Sequence, residues 1–400
     1  MRTLTRRQTI VAASAAAAMG ARSARAETGR LRVSYGYSTG YLPLMVMRDQ
    51  GLIEKHASKL GLGAVQVEWQ VLDGGNNIND AMLAGALDIA GIGIPGYLVL
   101  RDRTLGKKQE MTSISALSAG ALWLNTIDPR IKALTDYGPG DRIAVPGIKT
   151  SYAAVVLEMA AAKTFGIENY AKLDPLTVGL PHPDAYAAMM SGKTEIKSHF
   201  ASPPFSYQEL RNPAVHRVLS TADVIGLLTI LLNMTQKQFA AANPGMIKAF
   251  LAAQEEANGF IASDREGAVT AYAKGSKLKM PAADMLEILA DKESSYSIVP
   301  KGSLVYASFL ARAGVVKATP AAWTDLFLAD IHGLGGELTV VATIVVRGRR
   351  LKGTNYRNTH VWSRMGQPAP AVGIQFEFRI LTLIRYRSGL RDDPEIRHSA

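Results

Sequence analysis

The sequence predicts an α/β fold of two similar lobes, each a mainly parallel sheet flanked by helices. Three observations carry this prediction. From residue 31 onward, short β-rich runs alternate with helical stretches, the pattern of a sheet covered on both faces. The stretch Ala81-Met82-Leu83-Ala84-Gly85-Ala86-Leu87-Asp88-Ile89 is echoed by Ala188-Met189-Met190-Ser191-Gly192-Lys193-Thr194-Glu195-Ile196. Each copy reads helix end, glycine cap, acidic residue, buried strand. Finally, 400 residues are enough for two cores.

The elements follow in chain order. Residues 31–35 read as a strand and 42–60 as a helix, with Pro43 near its first turn where a missing N–H costs nothing. A strand at 65–71 precedes a helix at 78–84 that Gly85 ends. A strand at 87–91 runs into the loop Gly91-Ile92-Gly93-Ile94-Pro95 and a further helical run. Residues 114–117 and 122–125 are strand-like, 142–145 is a strand, and 151–165 is a helix of clear apolar period. Short strands at 176–178 and 195–198 bracket a helix at 184–190, and 236–332 reads as mostly helical.

The ends differ from the middle. Thr5-Arg6-Arg7-Gln8-Thr9-Ile10 places paired arginines before an Ala-rich run, 11–21, that is too short and too weakly apolar to span a bilayer. Ala24-Arg25-Ala26 supplies a small-x-small cleavage site, so residues 1–26 read as a twin-arginine signal peptide cut near Ala26. No cysteine follows it to carry a lipid, so the expected location is free in the periplasm. The formal charge of +11 divides unevenly: five arginines and no acid in 1–26, and eleven basic against five acidic residues in 336–400. Residues 27–335 hold 29 basic and 29 acidic side chains, which gives no reason to expect a nucleic-acid partner. The chain has no cysteine, excluding disulfides, thiolate metal sites and cysteine nucleophiles. Residues 336–400 are Arg-rich and weakly patterned, with a strand-like run at 374–386; they read as a small extra element, a disordered basic tail or a shifted reading frame, the last two together being favoured.

In open α/β sheets a ligand sits beyond the carboxyl ends of the strands, where helix N-termini present free N–H groups. Five segments occupy such places: Gly36-Tyr37-Ser38-Thr39-Gly40-Tyr41, Gly74-Gly75-Asn76-Asn77, Gly93-Ile94-Pro95, Gly147-Ile148-Lys149-Thr150-Ser151-Tyr152, and His199-Phe200-Ala201-Ser202-Pro203-Pro204. The candidate ligand-binding residues are Tyr37, Ser38, Thr39, Gly40, Asn76, Gly93, Ile94, Thr150, Ser151, Tyr152, His199 and Ser202. The hydroxyls of Ser38, Thr39, Thr150 and Ser151 suit helix capping and suit an oxyanion equally. Lys149 is either an anion partner or a solvated loop lysine. Tyr37, Tyr41, Tyr152 and Phe200 either wall an organic moiety or pack the core. His199, placed directly after a strand, is either a ligand contact or a satisfied structural histidine.

Residues 31–54, a strand, an aromatic and glycine-containing loop, then Leu42-Pro43 and Asp49-Gln50-Gly51-Leu52-Ile53-Glu54, resemble the opening of periplasmic substrate-binding proteins of ABC transporters. Asp80-Ala81-Met82-Leu83-Ala84-Gly85-Ala86-Leu87-Asp88-Ile89-Ala90 is similar to a signature of their nitrate/sulfonate/taurine type. The resemblance covers about residues 30–333. It implies a type II periplasmic-binding-protein-like fold, with 30–117 plus 222–335 as one lobe, 118–221 as the other, and hinges near 115–118 and 220–221. It also implies a monomer that captures a small solute, expected to be anionic and sulfonate- or nitrate-like, and hands it to an inner-membrane permease, with no cofactor, metal or nucleic acid. Hydroxyls, helix N-termini and aromatic walls would suit a sulfonate, nitrate, carboxylate or heteroaromatic compound alike. Where that family often has an acidic residue and Glu-Pro, this chain has Glu195 and Ser202-Pro203, so the solute is not carried across.

Two other functions compete. An enzyme on the same fold, such as a pyrimidine-precursor synthase, would need a cysteine-rich iron-linked motif, and no GxSxG, HExxH or P-loop pattern is present either. An iron carrier using adjacent tyrosines lacks its Tyr-Tyr pair.

Overall fold

A computed structural model describes residues 27–335, apart from 277–279 and 318. The expected signal peptide and the basic tail lie outside the described residues. Eleven strands appear among the described ones: β1 (Arg30–Tyr35), β2 (Gln66–Val71), β3 (Ile89–Gly93), β4 (Met111–Ala119), β5 (Trp123–Thr126), β6 (Arg142–Val145), β7 (Thr177–Gly179), β8 (Ile196–Ala201), β9 (His216–Ser220), β10 (Thr229–Gln236) and β11 (Ser295–Tyr296). They form two sheets, ordered β11-β4-β10-β3-β1-β2 and β7-β6-β8-β5-β9. Helices flank both, as the alternating pattern requires, and both sheets belong to one compact unit.

Each sheet is mixed. β1 runs parallel to β2 and β3, and β6 parallel to β7 and β8, each through a helical crossover. β10 runs antiparallel to β3 and β4, and β5 antiparallel to β8 and β9. The reason is the route of the chain. β4 ends at the junction between the sheets and residues 120–122 pass straight into β5, which therefore points away from the junction while its helix-connected neighbours point toward it. β9, residues 221–228 and β10 repeat this in the opposite sense. Residues 115–118 thus lie within β4, just before the first passage.

The core follows from strand alternation. On β6, Ile143 and Val145 join a large apolar cluster that takes in residues of both sheets, including Val33 and Ile92. Ala144, pointing the other way, joins a smaller cluster with Ala185, Met189, Ile196 and Val215. One group of buried polar side chains is tied into a network: Gln254 Oε1 accepts from Ser115 Oγ (2.6 Å) and Asn233 Nδ2 (3.0 Å), and Gln254 Nε2 donates to the Ala116 carbonyl (2.7 Å). The carboxylate of Glu27 accepts from the backbone N–H of Gly245 and Met246 at the start of the Pro244–Ser263 helix.

Three sequence expectations change. The helix expected over 42–60 is two helices, Leu42–Asp49 and Leu52–Lys59, because Gly51 takes the left-handed conformation (φ 59°) between them. β3 extends to Gly93 and the next helix starts at Ile94, so the loop expected at 91–95 is a direct strand-to-helix junction. β8 extends to Ala201, so His199 lies within the strand rather than after it.

Candidate functional site

The carboxyl ends of β1, β2, β3, β6 and β8 meet at a cavity of about 50 Å³ between the two sheets. At roughly 10–15 Å³ per water, it has room for about four waters, or the head group of a small oxyanion. Four helices begin on its wall: Gly75–Leu83 and Ile94–Thr104 on the first-sheet side, Tyr152–Phe165 and His182–Ser191 on the second. The opening N–H groups of a helix have no carbonyl partner within it, and the aligned peptide dipoles leave a partial positive charge there.

Glycine lets the two sides touch. A Cβ on Gly74 would stand 2.4 Å from the Pro146 carbonyl oxygen, and one on Gly75 3.0 Å from the Thr150 carbonyl oxygen. One on Gly147 would meet the Gly75 nitrogen at 3.1 Å. Hydrogen bonds cross the same boundary. The Thr39 N–H donates to the Pro203 carbonyl (2.9 Å), and the His182 N–H donates to Asp73 Oδ2 (3.2 Å).

Of the twelve residues expected at the site, six line this cavity: Ser38, Gly93, Thr150, Ser151, Tyr152 and Ser202. Ser151 caps its helix, its Oγ accepting from the Ala154 N–H at 3.2 Å. The Ser202 hydroxyl is buried and has no hydrogen-bond partner among the described residues. Thr39 and Gly40 lie instead along a narrow adjoining crevice that shares Ser38 and Ser202. Gly40 packs there, where a Cβ would meet Leu231 at 2.7 Å. Tyr37 is half-buried, its carbonyl accepting from the Tyr272 hydroxyl (2.6 Å), and Asn76 is exposed. Ile94 is fully buried in the core as the first residue of its helix.

His199 is also fully buried away from the cavity wall. Its Nδ1 meets Glu209 Oε1 at 2.5 Å and its Nε2 meets His182 Nδ1 at 2.8 Å. Lys149 takes a left-handed conformation (φ 62°), and its exposed ammonium faces Asp174 at 3.9 Å rather than the cavity. No lysine or arginine is among the lining residues, so the helix starts are the positive element of the wall.

Sequence reasoning missed two titratable groups, Asp73 and His182, both on the wall. Asp73 accepts from its neighbour Gly74 N–H (3.1 Å) as well as from His182, and burial pushes its carboxyl above the usual range. His182 is held well below the usual histidine range, by burial first and then by the charge of His199. The internal repeat carried a usable signal: the two echoed glycines end helices whose starts, Gly75 and His182, both reach the cavity.

The fold is shared with periplasmic binding proteins of known structure. The alkanesulfonate-binding protein SsuA of Xanthomonas axonopodis pv. citri, solved with MOPS bound, is 18% identical over 73% of this chain and 95% of its own, with a TM-score of 0.57. The periplasmic nitrate-binding protein NrtA of Synechocystis PCC 6803 is 17% identical over 75% of this chain and 84% of its own, also at 0.57. The periplasmic aliphatic sulphonate binding protein SsuA of Escherichia coli is 18% identical over 74% and 98%, at 0.54. Comparison with curated protein sequences gives no match. The profile of the NMT1-like family matches residues 24–274, well over half of the sequence, and the chain belongs to that family.

Proposed function

We propose that this protein is the solute-binding component of an ABC importer, capturing a small anionic solute between two lobes and delivering it to an inner-membrane permease. The observation that carries the reading is the convergence of four helix starts, two from each side, on one small cavity without a lysine or arginine in its wall. Such a wall binds an oxyanion through backbone N–H groups and hydroxyls. Proteins of the same fold that bind alkanesulfonates and nitrate support it. In this reading residues 30–117 and 222–335 form one lobe and 118–221 the other. The passages at 120–122 and 221–228 let them open and close. Residues 1–26 direct export to the periplasm, where the protein acts as a monomer and performs no chemistry on its solute.

The test is a thermal-shift and calorimetric screen of the chain from residue 27 onward against nitrate, ethanesulfonate, taurine, MOPS and small carboxylates. A true solute at a hundred times its Kd adds about 2.7 kcal/mol of stability by mass action. Stabilisation by neutral or cationic compounds and by no anion would overturn the anion reading, and turnover of a bound compound would overturn the binding-only reading.

A further inference from the structure

A line of buried titratable groups runs from the cavity wall into the interior of the second sheet. His182, on the wall, is 4% exposed; His199 and Glu209 are 0% exposed. Glu209 Oε1 meets His199 Nδ1 at 2.5 Å, and Glu209 Oε2 accepts from Asn125 Nδ2 at 2.9 Å. His199 Nε2 meets His182 Nδ1 at 2.8 Å. The His182 ring stacks on Phe205, with centroids 5.7 Å apart and planes 19° from parallel. With Nδ1 engaged, Nε2 is the one ring nitrogen of His182 available to a solute.

Counting protons along this line restricts what His182 can offer. One proton lies between Glu209 and His199, and one between the two histidines, because neither contact works between two donors or two bare acceptors. With those two protons alone, the line carries a net charge of −1. It would be buried next to the Asp73 carboxyl, with no lysine or arginine on the adjoining wall. Burying an uncompensated charge is costly, whereas a neutral line is not. Neutrality requires a third proton, and two sites are left for it, Glu209 Oε2 and His182 Nε2. Oε2 already accepts from Asn125 Nδ2, and imidazole nitrogen is the more basic atom, so the proton goes to His182 Nε2. This holds whether Glu209 is a carboxylate facing an imidazolium at His199 or shares its proton fully.

We propose that the buried Glu209–His199 pair fixes His182 as a hydrogen-bond donor at Nε2, so that the second-sheet side of the cavity accepts only a solute presenting an acceptor, an oxyanion or a carbonyl oxygen. His199 and Glu209 are positioning residues here: neither touches the solute, and both act through the ring of His182. The inference deepens the solute-capture reading and rests on it for the identity of the partner, while the placement of the proton stands on the geometry alone.

The experiment is nitrogen NMR of the full chain labelled with 15N-histidine, at neutral pH, with and without nitrate or ethanesulfonate. The expected result is a protonated Nε2 on His182. A His182 protonated on Nδ1 and bare at Nε2 overturns the proposal, and wild-type protein suffices for that decision. In Glu209→Gln the side chain can either accept from or donate to His199, so both neutral tautomers of His182 become available. Its His182 signals should report a mixture, and affinity for the two anions should fall by the reciprocal of the Nε2-protonated fraction, about twofold for an even mixture. A merely structural role for Glu209 would weaken binding without moving the tautomer, and that outcome also overturns it. Failure of wild-type protein to bind either anion would instead count against the solute-capture reading.

Discussion

Replacing Gly74 by alanine tests whether the glycine contact at the cavity governs closure. Gly74 has φ 83° and ψ 129°, and a Cβ there would lie 2.4 Å from the Pro146 carbonyl oxygen on the opposite side. An ordinary carbon–oxygen contact is roughly 3.2 Å, so about 0.8 Å must be found, and both groups are backbone. Overpacking of this kind costs about 1–3 kcal/mol. On the proposed opening and closing of the lobes, the clash exists only when the two sides meet, so that cost falls on the closed state and weakens solute binding about 5- to 150-fold. With φ 83° and ψ 129° the backbone lies outside the left-handed helical region, where a Cβ costs about 1–3 kcal/mol; on the proposed closure this falls on open and closed forms alike, so it lowers Tm and not affinity. Gly75→Ala separates the two effects. Its Cβ would meet Thr150 at 3.0–3.2 Å, its φ is ordinary, and alanine suits a helix start better than glycine. That variant should melt no lower than wild type and still bind several-fold more weakly. Calorimetry with ethanesulfonate or nitrate, paired with small-angle scattering, reads both quantities. If Gly74→Ala bound with wild-type affinity and compacted normally on adding the anion, the reasoning would be wrong.

Two further outcomes concern buried carboxyls. Burial raises Asp73 above the usual aspartate range, and it faces Tyr41, His182 and, at longer reach, Tyr37 and His199. It is neutral at acid pH and an anion above its raised pKa, so an anionic solute should bind more tightly as pH falls into that range. Asp73→Asn keeps only one of the two backbone hydrogen bonds that the carboxylate accepts, so its expected signature is loss of the pH dependence rather than a set affinity; an unaltered pH profile in the variant would sink the idea. Glu158, 4% exposed within the Tyr152–Phe165 helix, is pushed up to about 8 by burial first and then by the nearby Asp174 carboxylate. The native state therefore keeps a proton that the unfolded chain has already released, and stability falls as pH rises from the ordinary glutamate range to about 8. Glu158→Gln should flatten that slope, by up to a few kcal/mol between pH 5 and 9, in denaturant titrations. Parallel slopes for variant and wild type would show that Glu158 is not the group responsible.

The alternation of strands and helices was legible because it is local. The alternating side-chain direction along β6, the proline near the start of the Leu42–Asp49 helix and the Ser151 cap each depend on residues a few positions apart. Gly51 showed where local reading stops: a helix-compatible run on each side hid a break that one left-handed residue imposes. β10 escaped the sequence for a different reason. It is buried almost end to end and inserts between β3 and β4, so neither alternation nor its neighbours in the chain betray its place.

At the site the division is sharper. Local patterns singled out the loops that follow the strands, and half of the residues chosen from them do line the cavity. His199 was chosen as a residue following a strand, yet β8 continues through it and turns its ring inward onto Glu209. Asp73 and His182, 109 positions apart, meet only when the two sheets face each other, and Gly74 meets Pro146 in the same way. By itself the sequence determined the α/β alternation, the glycine-bearing loops and the near-neutral charge of residues 27–335, all properties of short segments or of composition. Only the tertiary structure decided which helix starts share a cavity, which histidine reaches its wall and which lies behind it, because those are contacts between distant segments whose side-chain directions no local pattern encodes.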